Sequence, residues 1–81
     1  MRKLRYTVII TRDKDGYFAE VPDLKNCWTQ GETFEEVVKN AQEAVRCYIE
    51  GLKKLGEPIP KPKTKTITIK KPETIFTIIA A

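Results

Sequence analysis

Histidine and serine are both missing from the 81 residues. That removes Ser/His and Cys/His nucleophile pairs, imidazole acid–base catalysis and every histidine-containing zinc site. Cysteine is scarce: Cys27 and Cys47 stand twenty residues apart. Two thiols are too few for a zinc site, so both are expected as reduced, small buried hydrophobes. No apolar run approaches the roughly 18–20 residues of a membrane span. The opening Met1–Tyr6 segment has no apolar stretch behind its basic residues, so no secretory signal is expected. These absences point to a cytoplasmic protein without metal or cofactor. A hydrophobic content of 41% excludes a disordered chain. The length allows a single domain, because a second core would need roughly 50 more residues.

Charge is unevenly placed. Residues 1–12 carry Arg2, Lys3, Arg5 and Arg12 with no acid, a balance of +4. Residues 13–57 hold ten acids and six bases, and residues 58–81 hold five lysines against one glutamate. The middle is therefore acidic and the ends basic, although the overall charge is +4. Generic nucleic-acid binding prefers one continuous basic face, whereas an acidic middle suits a basic protein partner.

Leu4, Tyr6, Val8 and Ile10 alternate with Arg5, Thr7 and Thr11, the pattern of a half-buried strand over residues 4–11. Asp13-Lys14-Asp15-Gly16 makes a hairpin turn in which glycine supplies a positive φ. The returning strand, Tyr17–Val21, sets Tyr17, Ala19 and Val21 on one face and Phe18 and Glu20 on the other, and Pro22 stops it. A second turn at Asp23–Asn26 leads to a short strand, Cys27–Gln30. Thr33 and Glu36 then form a capping box. Phe34, Val37, Val38, Ala41, Val45, Tyr48, Ile49, Leu52 and Leu55 recur at helical spacing, predicting a helix over 34–55 that Gly56 caps and Pro58 ends. Glu36, Glu43 and Glu50 alternate with Lys39, Arg46 and Lys53 on its opposite face, the pattern of a solvated surface.

Beyond the helix, Pro58–Pro62 is a stiff extended segment. Thr66–Ile69 reads as a strand, Lys71–Thr74 as a turn, and Ile75–Ala80 as a final, strongly apolar strand. Ile75, Phe76, Ile78 and Ile79 place large side chains on both faces of that strand, more than a sheet covered on one side can bury. The stiff segment is expected to direct this tail away from the helix end. It would then pair with a second copy of the chain rather than fold straight back, giving a dimer or tetramer. The chain thus divides into a core of residues 1–60 and a tail of residues 61–81.

The stretch Asp13-Lys14-Asp15-Gly16-Tyr17-Phe18-Ala19-Glu20-Val21-Pro22-Asp23-Leu24 resembles the start of HicB-like antitoxins. The resemblance continues through Cys27, Thr29-Gln30-Gly31-Glu32-Thr33, Glu36, Asn40-Ala41, Glu43-Ala44 and Gly56-Glu57-Pro58-Ile59-Pro60. No single piece is specific; their order and spacing over residues 4–60 are. Lys25-Asn26 stands where the family usually has Pro-Gly, and Trp28 is larger than the pattern leads one to expect. The resemblance implies an α+β fold: a three-stranded antiparallel sheet with one long helix packed across it. A C-terminal β-strand tail completes the order β-β-β-α-β, a truncated ribonuclease-H-like arrangement. It also implies a partner, because HicB-like proteins bind small basic HicA toxins, mRNA-cleaving ribonucleases, and block them. Many members add a C-terminal DNA-binding domain. Residues 61–81 are too short for one, and Pro62 and Pro72 argue against helices, so direct DNA binding is not carried over.

Three readings follow. A nuclease would use Asp13, Asp15, Glu20 and Asp23 as metal ligands, with two cations about 4 Å apart. The first strand offers no acid, and Asp13 and Asp15 sit where a turn uses them, so no catalytic or metal-binding residue is assigned and no enzyme is expected. An RNA-binding module would use Arg2, Lys3, Arg5, Arg12, Lys61, Lys63 and Lys65 with Tyr6 and Tyr17 as stacking groups, although both tyrosines fall on the expected core face. The antitoxin reading makes positive use of the acidic middle, with Asp23, Asn26, Trp28 and Gln30 as candidate toxin contacts. Trp28 is read there either as an interface anchor or as core packing.

Overall fold

Alternating apolar and polar residues form β1 (Arg5–Asp13), whose Tyr6, Val8 and Ile10 are fully buried while Thr7, Ile9 and Thr11 are half-buried on the other face. The computed structural model describes residues 4–62, and the backbone course of residues 74–80. Gly16 turns the chain at a φ of 134°, and Asp13 Oδ1 accepts the Asp15 N–H at 2.8 Å, so Asp13 is engaged in the turn. β2 (Gly16–Glu20) then runs antiparallel to β1, and β3 (Trp28–Gly31) antiparallel to β2. Between them two consecutive turns close with Leu24 N–H to Val21 O and Cys27 N–H to Leu24 O, each at 3.1 Å. Leu24 plugs the loop into the core.

The helix, α1, spans Phe34–Leu55 as its spacing predicts. Thr33 Oγ1 accepts the Glu36 N–H at 3.0 Å, and Gly56, at a φ of 70°, closes the far end with its N–H on Lys53 O and the Glu57 N–H on Leu52 O. Val37, Ala41, Val45 and Ile49 are buried against the strands, where they meet Tyr6, Val8, Ile10, Ala19, Val21, Leu24 and Cys27. Two helix positions depart from expectation. Leu55 is 76% exposed because it lies in the last turn, past the core. Cys47 is exposed, not buried, because two residues beyond Val45 the helix has turned about 200° away from the sheet.

The tail corrects a further expectation. β4 (Thr74–Ala80) does not leave the molecule: it pairs antiparallel with β1, from Arg5↔Ala80 to Thr11↔Thr74, giving a sheet in the order β3-β2-β1-β4. The Tyr6 hydroxyl donates to Pro60 O across 54 residues, which holds the post-helix segment against the sheet. The strand expected at Thr66–Ile69 and the turn leading into β4 lie outside the described residues.

The helix and β3 meet at Gly31. A Cβ there would come within 2.7 Å of the Val37 backbone nitrogen, and beside it Asn40 Nδ2 donates to Gln30 O at 2.9 Å. Gly31→Ala must therefore displace the helix, at an expected cost of roughly 1–3 kcal/mol. Gly51→Ala, whose added Cβ meets nothing within 4 Å, should stabilise by up to about 1 kcal/mol through helix propensity. Urea unfolding of the two variants checks both, and equal effects would refute the close contact.

Two buried acids set the response to alkali. Burial raises the Cys27 thiol above its ordinary 9.0. Burial first, and the Asp23 carboxylate second, raise the Tyr6 hydroxyl above 10.0. Both are neutral in the folded state and ionise more readily when unfolded. The stability tied to their neutral forms is complete below the unfolded pKa and is lost as pH rises through the folded one. Stability should thus decline from about pH 9, and the decline should shrink in Cys27→Ala and Tyr6→Phe. Melting curves between pH 8 and 11 would show it; a slope unchanged by either variant would refute the assignment.

Candidate protein-docking face

One helix covers one face of the sheet, so residues of opposite parity on β2 and β3 face away from it. Phe18 and Glu20 on β2 and Trp28 and Gln30 on β3 are all exposed. Their register sets Phe18 beside Gln30 and Glu20 beside Trp28. Phe18, 37% exposed, and Trp28, 57% exposed, stack on the diagonal with ring centroids 5.5 Å apart and planes at 27°. Trp28 is therefore not core packing. Ile9, paired with Glu20 on β1, extends the apolar part of this face.

At the β1–β2 turn the face becomes acidic. An open cleft of about 380 Å³ is lined by Phe18 and Gln30 together with Asp13, Asp15, Glu32 and Glu36. Glu32 and Glu36 arrive there because Gly31 brings the start of α1 against β3. The result is an aromatic surface that ends in carboxylates. It suits a partner that offers an apolar patch next to lysines or arginines.

The four sequence candidates do not form one patch. Trp28 and Gln30 lie on the helix-free face. Asn26 is exposed in the β2–β3 loop with a φ of 60°. Asp23 is half-buried in that loop and acts on the Tyr6 hydroxyl, which belongs to the helix side. Phe18 was not among the candidates. Alternation alone had placed it on the outer face of β2, but its stacking on Trp28 depends on the β2–β3 register. Of the tyrosines in the RNA-binding reading, Tyr6 is fully buried, and Tyr17 is half-buried and packs on Phe34 with ring centroids 6.0 Å apart. Among the described residues no group of three or more cysteines, aspartates or glutamates has the arrangement of a metal site, and no helix is long and apolar enough to cross a membrane.

A family model described as the HicB-like antitoxin of bacterial toxin–antitoxin systems matches residues 6–80. A UPF0150 protein of Thermoplasma acidophilum is 51% identical over 67 residues, spanning 82% of this chain and 97% of that protein. A UPF0150 protein of Synechocystis sp. is 47% identical over 57 residues, 69% of this chain and 72% of the relative. Among solved structures, a chain of a HicA3–HicB3 toxin–antitoxin complex superposes with a TM-score of 0.71 at 32% identity, covering 94% of this chain and 95% of that one. The N-terminal domain of the Burkholderia pseudomallei antitoxin HicB shares the fold, with a TM-score of 0.76 at 24% identity over 96% of this chain and 98% of that one. With its motifs, its β-β-β-α-β order and a family match running from β1 through β4, the chain belongs to the HicB-like antitoxins of bacterial toxin–antitoxin systems.

Proposed function

We propose that the protein is an antitoxin that binds a small basic HicA-like toxin and covers the surface with which that toxin engages mRNA. The observation that carries this reading is the exposed Phe18–Trp28 stack on the helix-free face, bordered by carboxylates. Stacked aromatics held on a rigid sheet supply contact area at low entropic cost, the property of interface anchors. The carboxylates of Asp13, Asp15, Glu32 and Glu36 attract a basic partner and orient it before contact. The same charges disfavour the RNA-binding alternative, because phosphates would be repelled from the one aromatic platform exposed among the described residues. The relative solved with a HicA3 partner supports the class of partner.

Trp28→Ala and Phe18→Ala should each weaken toxin binding by about 30-fold or more, roughly 2 kcal/mol, the threshold of an interface anchor. Glu43→Lys, on the exposed face of α1, should change it little. Reversing Asp15 and Glu32 to lysine should slow association and flatten its salt dependence. Titration calorimetry and stopped-flow mixing against the toxin would measure these effects. If Glu43→Lys acts as strongly as Trp28→Ala, the proposed face is wrong.

The protein alone should leave single- and double-stranded RNA intact with Mg²⁺ or Mn²⁺, because Asp13 is committed to its turn and β1 has no acid before it. Metal-dependent cleavage that vanishes in Asp15→Ala and Glu20→Ala would contradict this.

A further inference from the structure

Phe18 occupies one face of the Trp28 indole, with ring centroids 5.5 Å apart. Trp28 is nevertheless 57% exposed, so its other face is open to a partner. What stands beside the indole follows from the ladder. The Val21 N–H donates to Cys27 O at 3.0 Å, which makes these two residues a hydrogen-bonded pair. Hydrogen-bonded and non-hydrogen-bonded pairs alternate along an antiparallel ladder, and the second kind brings side chains closer. The next pair, Glu20 with Trp28, is therefore of the close kind, its Cβ atoms about 5 Å apart. The Gln30 carbonyl, two residues on, points away from β2 and is taken by Asn40, as the same alternation requires.

Glu20 is an exposed acid in apolar company. Its cross-strand neighbours are Trp28 on β3 and the half-buried Ile9 on β1, neither of them charged. The carboxylates of the acidic cleft gather at the other end of the stack, beside Phe18 and Gln30. A partner that covers the two rings covers Glu20 as well. A carboxylate taken out of water without a counter-charge is costly, so a protein anchored on these rings must bring a cation to this point. Arginine answers the indole and the carboxylate together. Its planar guanidinium lies flat on an aromatic face while its edge offers two parallel N–H groups to a carboxylate. A lysine ammonium is more strongly hydrated and has no flat face to stack.

We infer that this surface takes one arginine side chain of the toxin, with the guanidinium on the open face of the Trp28 indole and its N–H groups donating to the Glu20 carboxylate. The inference rests on the function proposed above and names what the toxin must present: an arginine within its apolar contact patch. Glu20 then differs in role from the acids of the cleft. Asp15 and Glu32 draw the partner in, whereas Glu20 retains it once water has been excluded.

Trp28 is the only tryptophan in the chain, so its fluorescence reports the site directly. A blocked oligoarginine peptide should perturb that emission with an affinity at least about threefold above that of the matching oligolysine. Glu20→Gln should remove the difference, and Asp15→Asn, in the cleft, should weaken both peptides and keep it. With the toxin itself, Glu20→Gln should weaken binding by about 30-fold or more through faster dissociation. Combining Glu20→Gln with Trp28→Ala should cost less than the product of the separate effects, because both act on one side chain. Equal affinity for the two peptides, or a preference that Glu20→Gln leaves intact, overturns the inference. So does normal toxin binding by Glu20→Gln where Trp28→Ala binds weakly, a result that leaves the docking face standing. Normal toxin binding by Trp28→Ala would instead refute the face, and the inference with it.

Discussion

A single helix can bury one face of a sheet and no more, and the rest of this structure depends on that limit. The 22 residues of α1 lie across the strands with Val37, Ala41, Val45 and Ile49 facing inward. Their docking is possible because Gly31 lets the helix backbone approach β3 to a distance that any side chain would prevent. Thr33, Gly31 and Asn40 act together at this corner: a capped helix start, a strand without a Cβ, and an amide tied to the Gln30 carbonyl. Among the described residues the opposite face receives no such cover. Where a small protein leaves a sheet face open and sets two stacked aromatics on it, the exposed area is available for a partner.

Local patterns made much of the fold legible. Both ends of α1 are marked by residues whose roles are local, Thr33 with Glu36 at one and Gly56 with Pro58 at the other, and the structure places the helix at 34–55 as read. The alternation of β1 and β2 likewise identified Tyr6, Val8, Ile10 and Ala19 as inward. The direction of the tail was not legible. Proline content reports stiffness, not heading, and the strand that ends the tail is placed by long-range pairing of β4 with β1. Cys47 shows a different limit. Its expected burial came from the general behaviour of cysteine, while its position two residues after Val45 places it on the solvent side. Of the docking face, Trp28 and Gln30 could be singled out. The stack on Phe18 could not, because it is set by the register between two strands.

The β2–β3 loop explains a departure from the family pattern. Lys25-Asn26 replaces the usual Pro-Gly, and Asn26 sits at a φ of 60°, the left-handed region that glycine enters freely. Asparagine is the substitute that tolerates this conformation best, since its short polar side chain can bond locally. The turn geometry therefore survives the change, with Leu24 buried beneath it and Cys27 closing it. Trp28, the next residue, consequently starts β3 with its ring on the helix-free face.

Folding also sorts the charge. In sequence the acidic middle separates two basic ends; in space β1, which carries Arg5 and Arg12, lies beside β4. Arg5 and Arg12 mark the two ends of β1. The carboxylates of Asp13, Asp15, Glu32 and Glu36 collect instead around the cleft beside Phe18 and Gln30. Under the proposed function, a basic partner would be drawn to the carboxylates beside Phe18 and Gln30 and oriented there before contact. The aromatics proposed to meet the toxin are thereby kept on β2 and β3, apart from the arginines of β1.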